Sequence, residues 1–192
     1  RRWEEAGPGI LRVDDCFLDG PIDLARSWAQ GGVRYPTLTC AISGIATAAD
    51  CLTAIDGLVV RSQQVTLSRM QQALRTDYED AEALRRQCHQ CPKFGQDDEL
   101  ADGHAVQLLK RIQTEIDGAC DLGGPEEVIV FRCLETDMRH LRLGAETGAT
   151  PDGRRAGQPL SENTSPCPGS CRRGLTAMLK SVAKLPLEGI NS

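Results

Sequence analysis

The sequence predicts a mainly helical α/β chain with few strands, on three observations. Apolar or amphipathic stretches long enough for helices cover about 41–60, 66–88 and 97–117, with apolar residues recurring at three- and four-residue steps. One short apolar run, "EEVIVFRCLE", follows a Gly-Gly-Pro turn and suits a buried strand near 127–134. Glycine and proline then punctuate the chain between these stretches, where neither helix nor strand can continue.

Taken in order, the first thirty-odd residues carry Gly, Pro and acids at short intervals and end in "QGGVRYP", which reads as turns around one short helix near "IDLARSWA". "CAISGIATAADCLTAIDGLVV", from Cys40 to Val60, is almost uniformly small or apolar, so it is expected as a helix buried on most sides. Its charges are Asp50 and Asp56. A buried acid needs a partner, so Asp50 is either a structural carboxylate bonded to backbone amides or an Arg, or part of a polar pocket. Thr66 is placed to cap the next stretch, whose apolar face runs Leu67, Met70, Leu74, Tyr78, Ala81, Leu84, Cys88, with a break expected near Asp77. Pro92 and Gly95 end it. Asp97 or Asp98 can cap the helix after it, with an apolar face of Leu100, His104, Leu108, Ile112 and Ile116. His104 on that face reads as a satisfied core histidine. A last helix is expected from about Gly174 to Lys184.

At 192 residues and a formal charge of −5, with 40% hydrophobic and 26% charged residues, the composition is that of a globular chain and argues against a polyanion as main partner. No run approaches the roughly 18 apolar residues that span a bilayer, and "RRWEEAGPGI" has acids and a proline where a signal peptide carries its apolar stretch, so an intracellular protein is expected. Nine cysteines, an odd number, point to reduced thiols. Cys88 with Cys91 and Cys167 with Cys171 could together supply four thiolates to zinc, but the two pairs lie far outside knuckle spacing and Pro168 stiffens the second, so small buried thiols with one or two exposed ones are expected instead.

"GATPDGRRAGQPLSENTSPCPGS", from Gly148 to Ser170, is rich in glycine, proline and arginine and cannot form a long helix or strand. Gly148, four residues and Gly153 have the glycine spacing of a phosphate-binding loop. Such a loop needs a Lys and a Ser or Thr where this chain has Arg154 and Arg155, and Pro151 removes an N–H donor, so the phosphate reading fails. A surface turn built on Pro151, Asp152 and Gly153 is the simpler reading from the residues alone.

The same loop, followed by "GLTAMLKSVAKLP", resembles the loop and helix near the end of the catalytic barrel of glycyl radical enzymes of the pyruvate formate-lyase type. "CAISGIATAADCLTAID" is similar to that family's Gly-x-Ala-x-x-Ala-Asp-Ser-Leu-x-Ala-Ile-Lys helix, "CPKFGQDDELAD" to its Lys-Phe-Gly-Asn-Asp-Asp stretch, and "DDCFLDGPIDLARSWAQGGVRY" more loosely to the segment before. The resemblance runs through nearly the whole chain. Cys51 stands for the usual Ser, Asp56 for Lys, Gln96 for Asn and Cys171 for an acid.

The resemblance implies an α/β piece of a ten-stranded barrel, with residues 1–192 forming part of one catalytic domain. It implies a cytoplasmic, homodimeric lyase or dehydratase that cleaves C–C, C–O or C–N bonds of a small substrate. In that family an iron–sulfur S-adenosylmethionine activase installs a glycyl radical, which oxidises a cysteine to a thiyl radical. The radical glycine lies in an Arg-Val-x-Gly-Tyr-like stretch and the thiyl cysteine in a Gly-Cys-x-Glu or Cys-Cys setting. Neither pattern occurs in these 192 residues, so no catalytic residue, bound cofactor or metal is assigned within them, and an internal fragment is expected. The alternative is a truncated, non-catalytic module of the same descent. By the family's layout, Cys133 to His140 would line the substrate cavity, with Glu135, Asp137 and His140 as its polar residues. The loop's arginines would be buried, stiffening the cavity wall, and the chain alone would self-associate.

Overall fold

The structure, a computed structural model, describes residues 13–120, 129–134 and 138–191. The chain divides into two compact units, residues 1–40 with 120–131 and residues 41–119 with 132–192. In the first unit Val13–Phe17 and Trp28–Gln30 are 3-10 turns. The helix expected at "IDLARSWA" does not form. Leu24 N bonds Gly20 O and Arg26 N bonds Pro21 O, but Ala25 between them takes a left-handed φ of 49° that no α-helix continues. The fully buried Asp15 accepts from Trp28 N at 2.6 Å, and Ser27 Oγ accepts from Ala29 N at 3.3 Å to start the second turn.

The expected helices recur with shifted ends. Strand β1 is Thr37–Ile42 and helix α1 is Ile45–Ile55, continued by a stretch of π-helix at Asp56–Arg61. The amphipathic stretch after it is two helices, α2 (Leu67–Arg75) and α3 (Glu82–Gln90). Thr66 caps α2 through Arg69 N at 3.2 Å. The break falls where Asp77 and Tyr78 both take left-handed φ, 49° and 60°. Helix α4 is Glu99–Cys120, and Asp98 Oδ1 accepts from Leu100 N and Ala101 N at its start. Strand β2 is Ile129–Leu134, α5 is Arg139–Glu146, α6 is Leu175–Ala183 and β3 is Ile190–Asn191. The sheet order is β1-β2-β3, with β2 and β3 parallel and Arg132 opposite Ile190.

Two apolar clusters hold the second unit. One joins Ile42, Ile45, Ala46 and Ala49 to Phe94, Ala105, Leu109, Leu134 and Leu185. The other gathers Leu58, Val65, Met70, Ala73, Tyr78, Ala81, Leu84 and Cys88, so the α2 and α3 face is as its spacing predicts except that Leu67 stays exposed. On α4 the fully buried apolar positions are Ala101, Ala105 and Leu109, with Asp102 buried beside them, while Leu108, Ile112 and Ile116 pack at the cluster edge. The buried face thus runs one position on from the predicted one. No helix among the described residues is long and apolar enough to cross a membrane.

Candidate functional site

Helix α1 supplies the first wall of a cavity of about 260 Å³. Ser161 Oγ accepts from Thr47 N at 3.1 Å, Thr47 Oγ1 accepts from Ser161 N at 2.8 Å, and Gly44 N bonds Ser161 O. The end of the Gly148–Ser170 loop therefore caps the start of α1, which has no capping side chain of its own at Gly44. One turn on, Asp50 is fully buried and its Oδ1 accepts from Phe94 N at 2.7 Å. Its Oδ2 has no hydrogen-bond partner, and the residue lines the cavity. Asp50 thus satisfies both expectations, a backbone-bonded carboxylate and a member of a polar pocket.

The "CPKFG" turn supplies the second wall. Lys93 is buried and its Nζ donates to Cys88 O at 3.0 Å and Asp152 O at 2.9 Å. Gly95 has a φ of 90°, and a Cβ there would lie 2.2 Å from Pro166 Cγ, so glycine lets the turn press against the loop.

The loop itself is the third wall, and it is not a surface turn. Asp152 Oδ1 accepts from Thr150 Oγ1 at 2.6 Å, Arg154 N at 3.3 Å and Cys51 Sγ at 3.6 Å. Buried Arg154 turns back on its own loop: Nε donates to Thr150 Oγ1, Nη1 to Gln158 O at 2.6 Å, and Nη2 to Thr147 O and Gly148 O. Arg155, half-buried, reaches outward instead, to Asp77 O at 2.8 Å and Glu82 Oε2 at 3.0 Å. Tyr78 Oη donates to Thr150 O at 2.8 Å. One arginine fixes the loop's shape and the other docks it on the α2 to α3 break; of the two expected to be buried, Arg154 is and Arg155 remains partly exposed.

The chemistry of the cavity follows from burial. Desolvation pushes the Asp50 carboxyl up to about 7 although the Lys93 ammonium pulls it down. Burial also pushes the Cys167 and Cys51 thiols up, with the neighbouring Asp50 and Asp152 adding to it, and holds Cys88 up at about 11. These thiols are not activated nucleophiles. His89 is pushed down by burial and by Arg85. Because a guanidinium can only donate, the 2.8 Å contact with Arg85 Nη1 makes His89 Nε2 the acceptor. The cavity also takes in Gln158, Ser170 and exposed Arg172.

Of the residues predicted for the substrate wall, Glu135 and Asp137 lie outside the described residues. His140, in the first turn of α5, has its Nδ1 3.9 Å from Glu162 Oε1 and is not among the residues lining this cavity. His104 is the satisfied core histidine expected, with Nδ1 3.0 Å from Thr53 Oγ1. Cys88 packs under Tyr78 Oη at 3.9 Å and Cys167 contacts Thr47 Oγ1 at 3.4 Å. The only metal-competent group of side chains among the described residues is Asp50, Asp152 and Cys167, so the four-thiolate arrangement is not formed there. Lys93, Asp152 and Cys167 were not singled out as partners of Asp50 from the sequence. The signal for them is that Lys93 sits in the "CPKFG" stretch and Asp152 and Cys167 in the loop, both among the stretches that carry the resemblance.

That convergence agrees with what the chain is similar to. A family model described as pyruvate formate lyase-like matches residues 12–126. Trans-4-hydroxy-L-proline dehydratase of Clostridioides difficile is 33% identical over 174 residues, 90% of this chain and 21% of that one. Formate acetyltransferase 1 of Escherichia coli (strain K12) is 34% identical over 150 residues, 78% of this chain and 18% of that one. The glycerol-bound structure of the B12-independent glycerol dehydratase from Clostridium butyricum superposes with a TM-score of 0.75 at 28% identity, over 90% of this chain and 22% of that one. The chain thus spans about a fifth of the length of these relatives. Its fold is a piece of the glycyl radical enzyme barrel, and the chain belongs to the pyruvate formate lyase-like family of glycyl radical enzymes.

Proposed function

We propose that this chain forms part of the catalytic domain of a cytoplasmic glycyl radical dehydratase, which removes water from a small hydroxylated substrate. The observation that carries the reading is the braced wall itself. Asp50, Lys93 and the Arg154-clamped loop lock three distant stretches together, as a segment that shapes a cavity wall does. A dehydratase is favoured over an acyltransferase because the match to the hydroxyproline dehydratase covers 90% of the chain, against 78% for the formate acetyltransferase at nearly equal identity.

On this reading the glycyl radical and thiyl cysteine belong to other segments of the full-length, homodimeric enzyme, and the partner that installs the radical is an iron–sulfur S-adenosylmethionine activase. This chain's own residues shape and orient. Glu135, Asp137 and His140, at the exit of β2, would present polar groups to the substrate, and the clamped loop would keep that wall from yielding to water. The test is the full-length gene product, activated anaerobically and offered a vicinal diol, hydroxyproline, or pyruvate with coenzyme A. Aldehyde or dehydrated ring product from one of the first two is expected. Turnover of pyruvate alone would move the protein to the acyltransferase branch. Within an active dehydratase, Asp137→Ala and His140→Ala should each lower kcat/KM at least about tenfold, and unchanged values would remove these residues from the wall. Activating the 192-residue chain by itself should give no glycyl doublet in electron paramagnetic resonance, whereas a doublet would show that this chain carries the radical site.

A further inference from the structure

Asp50 offers a buried oxygen, Oδ2, whose only candidate partner in the protein is the neighbouring Cys167 thiol. The residue is fully buried, its Oδ1 is used by Phe94 N, and its Oδ2 is unpartnered at the cavity wall. An orphaned buried carboxylate oxygen costs free energy unless something occupies the space it faces. Two further donors line the same cavity, Asp152 and Cys167, both from the Gly148–Ser170 loop. One ligand atom from each of the three lies within 4.8 Å of the others.

We propose that Asp50, Asp152 and Cys167 form a binding site for a divalent cation of the zinc class. A zinc ion held at roughly 2.0–2.3 Å by oxygen and sulfur sets its ligands about 3.5 Å apart, so side-chain rotations on the order of an ångström close the site. Two carboxylates and one thiolate carry three negative charges, set in a cavity whose lining also includes the Lys93 ammonium and the Arg154 and Arg172 guanidiniums. One sulfur ligand with two oxygens favours zinc or cobalt(II) over magnesium or calcium, which take oxygen alone. Three protein ligands leave a fourth position for water, and the cavity has room for it. On binding, the Cys167 thiol proton passes to solvent as the metal–sulfur bond forms. The ion would cross-link α1 to the loop, joining two of the stretches that Lys93 and Ser161 already tie together.

Cobalt(II) titrated into the anaerobically purified, metal-stripped chain serves as the probe. The expected result is one ion per chain, with a thiolate-to-cobalt charge-transfer band in the near ultraviolet from a single sulfur and displacement of that band by zinc. Asp50→Asn keeps the oxygen that accepts from Phe94 N and should weaken binding at least about tenfold. Cys167→Ser should abolish the band, while Cys171→Ser and Cys16→Ser, at exposed thiols outside the group, should leave it. Absence of stoichiometric uptake by the wild-type chain, which needs no variant to fold, overturns the proposal. So does a band that survives Cys167→Ser, or an Asp50→Asn chain that circular dichroism shows folded and that binds within about twofold of wild type.

Discussion

Gly153 sits where the loop, the His89 ring and α3 meet, and its φ of 95° lies in the region that side chains rarely adopt. A Cβ there would lie 2.9 Å from His89 Cδ2 and 3.0 Å from Arg85 O. Gly153→Ala is therefore expected to destabilise the chain by about 2 kcal/mol, read as a lower urea midpoint at unchanged slope. Adding His89→Ala should recover only part of the loss, because the backbone oxygen and the φ remain. Full recovery would mean that the ring alone decides. Arg154 meets four acceptors with a planar fork, and Lys in its place reaches at most a few of them, so Arg154→Lys should cost about 3 kcal/mol in the same measurement. A change under about 0.5 kcal/mol would show that the clamp is not a stabilising feature.

At the scale of elements, α6 is tied to the start of α4 by Lys184, whose Nζ reaches Asp97 at 3.0 Å, Glu99 at 2.9 Å and buried Asp102 at 2.8 Å. Lys184, with Lys180, holds the Asp97 carboxyl below its ordinary range. A group whose pKa is lower folded than unfolded contributes stability above the unfolded value, and that contribution is lost as pH falls through the folded one. The gap in urea midpoint between wild type and Lys184→Met should thus be largest near neutrality and narrow below about pH 4. A gap constant with pH would assign the effect to packing. Helix α4 also shows why a face read from spacing can be rotated. Its leucine and isoleucines at 108, 112 and 116 mark the apolar side but are only partly buried, and the fully buried positions it gives the first cluster are Ala105 and Leu109. Ala105→Leu should overpack and cost about 2 kcal/mol, whereas Leu100→Ala should cost less than about 1 kcal/mol.

For the whole molecule, α6 exposes Leu175 and Leu179, 65% and 56% accessible, and the π-helical stretch exposes Val60. Apolar side chains grouped on one helix in this way favour association. Sedimentation should show concentration-dependent self-association of the 192-residue chain, and Leu175→Glu with Leu179→Glu should shift it toward monomer. A monomer at all concentrations would count against exposure of that face in solution.

Sequence alone determined what is written in short-range terms. Helix period, the Thr66 cap, a cap at Asp97 or Asp98 that the structure resolves to Asp98, and the break near Asp77 are contacts within a few residues, and they were legible for that reason. The motif stretches likewise identified the family before any geometry. What only the tertiary structure decided is which residues of those stretches meet. The loop's solvated-turn reading failed because Arg154 finds carbonyl partners within the loop when buried, and Asp50 meets Phe94, Cys167 and Asp152 across separations that no local pattern encodes. Such pairings depend on the free energy of closing long loops against the burial they permit, a balance set by the packed core as a whole.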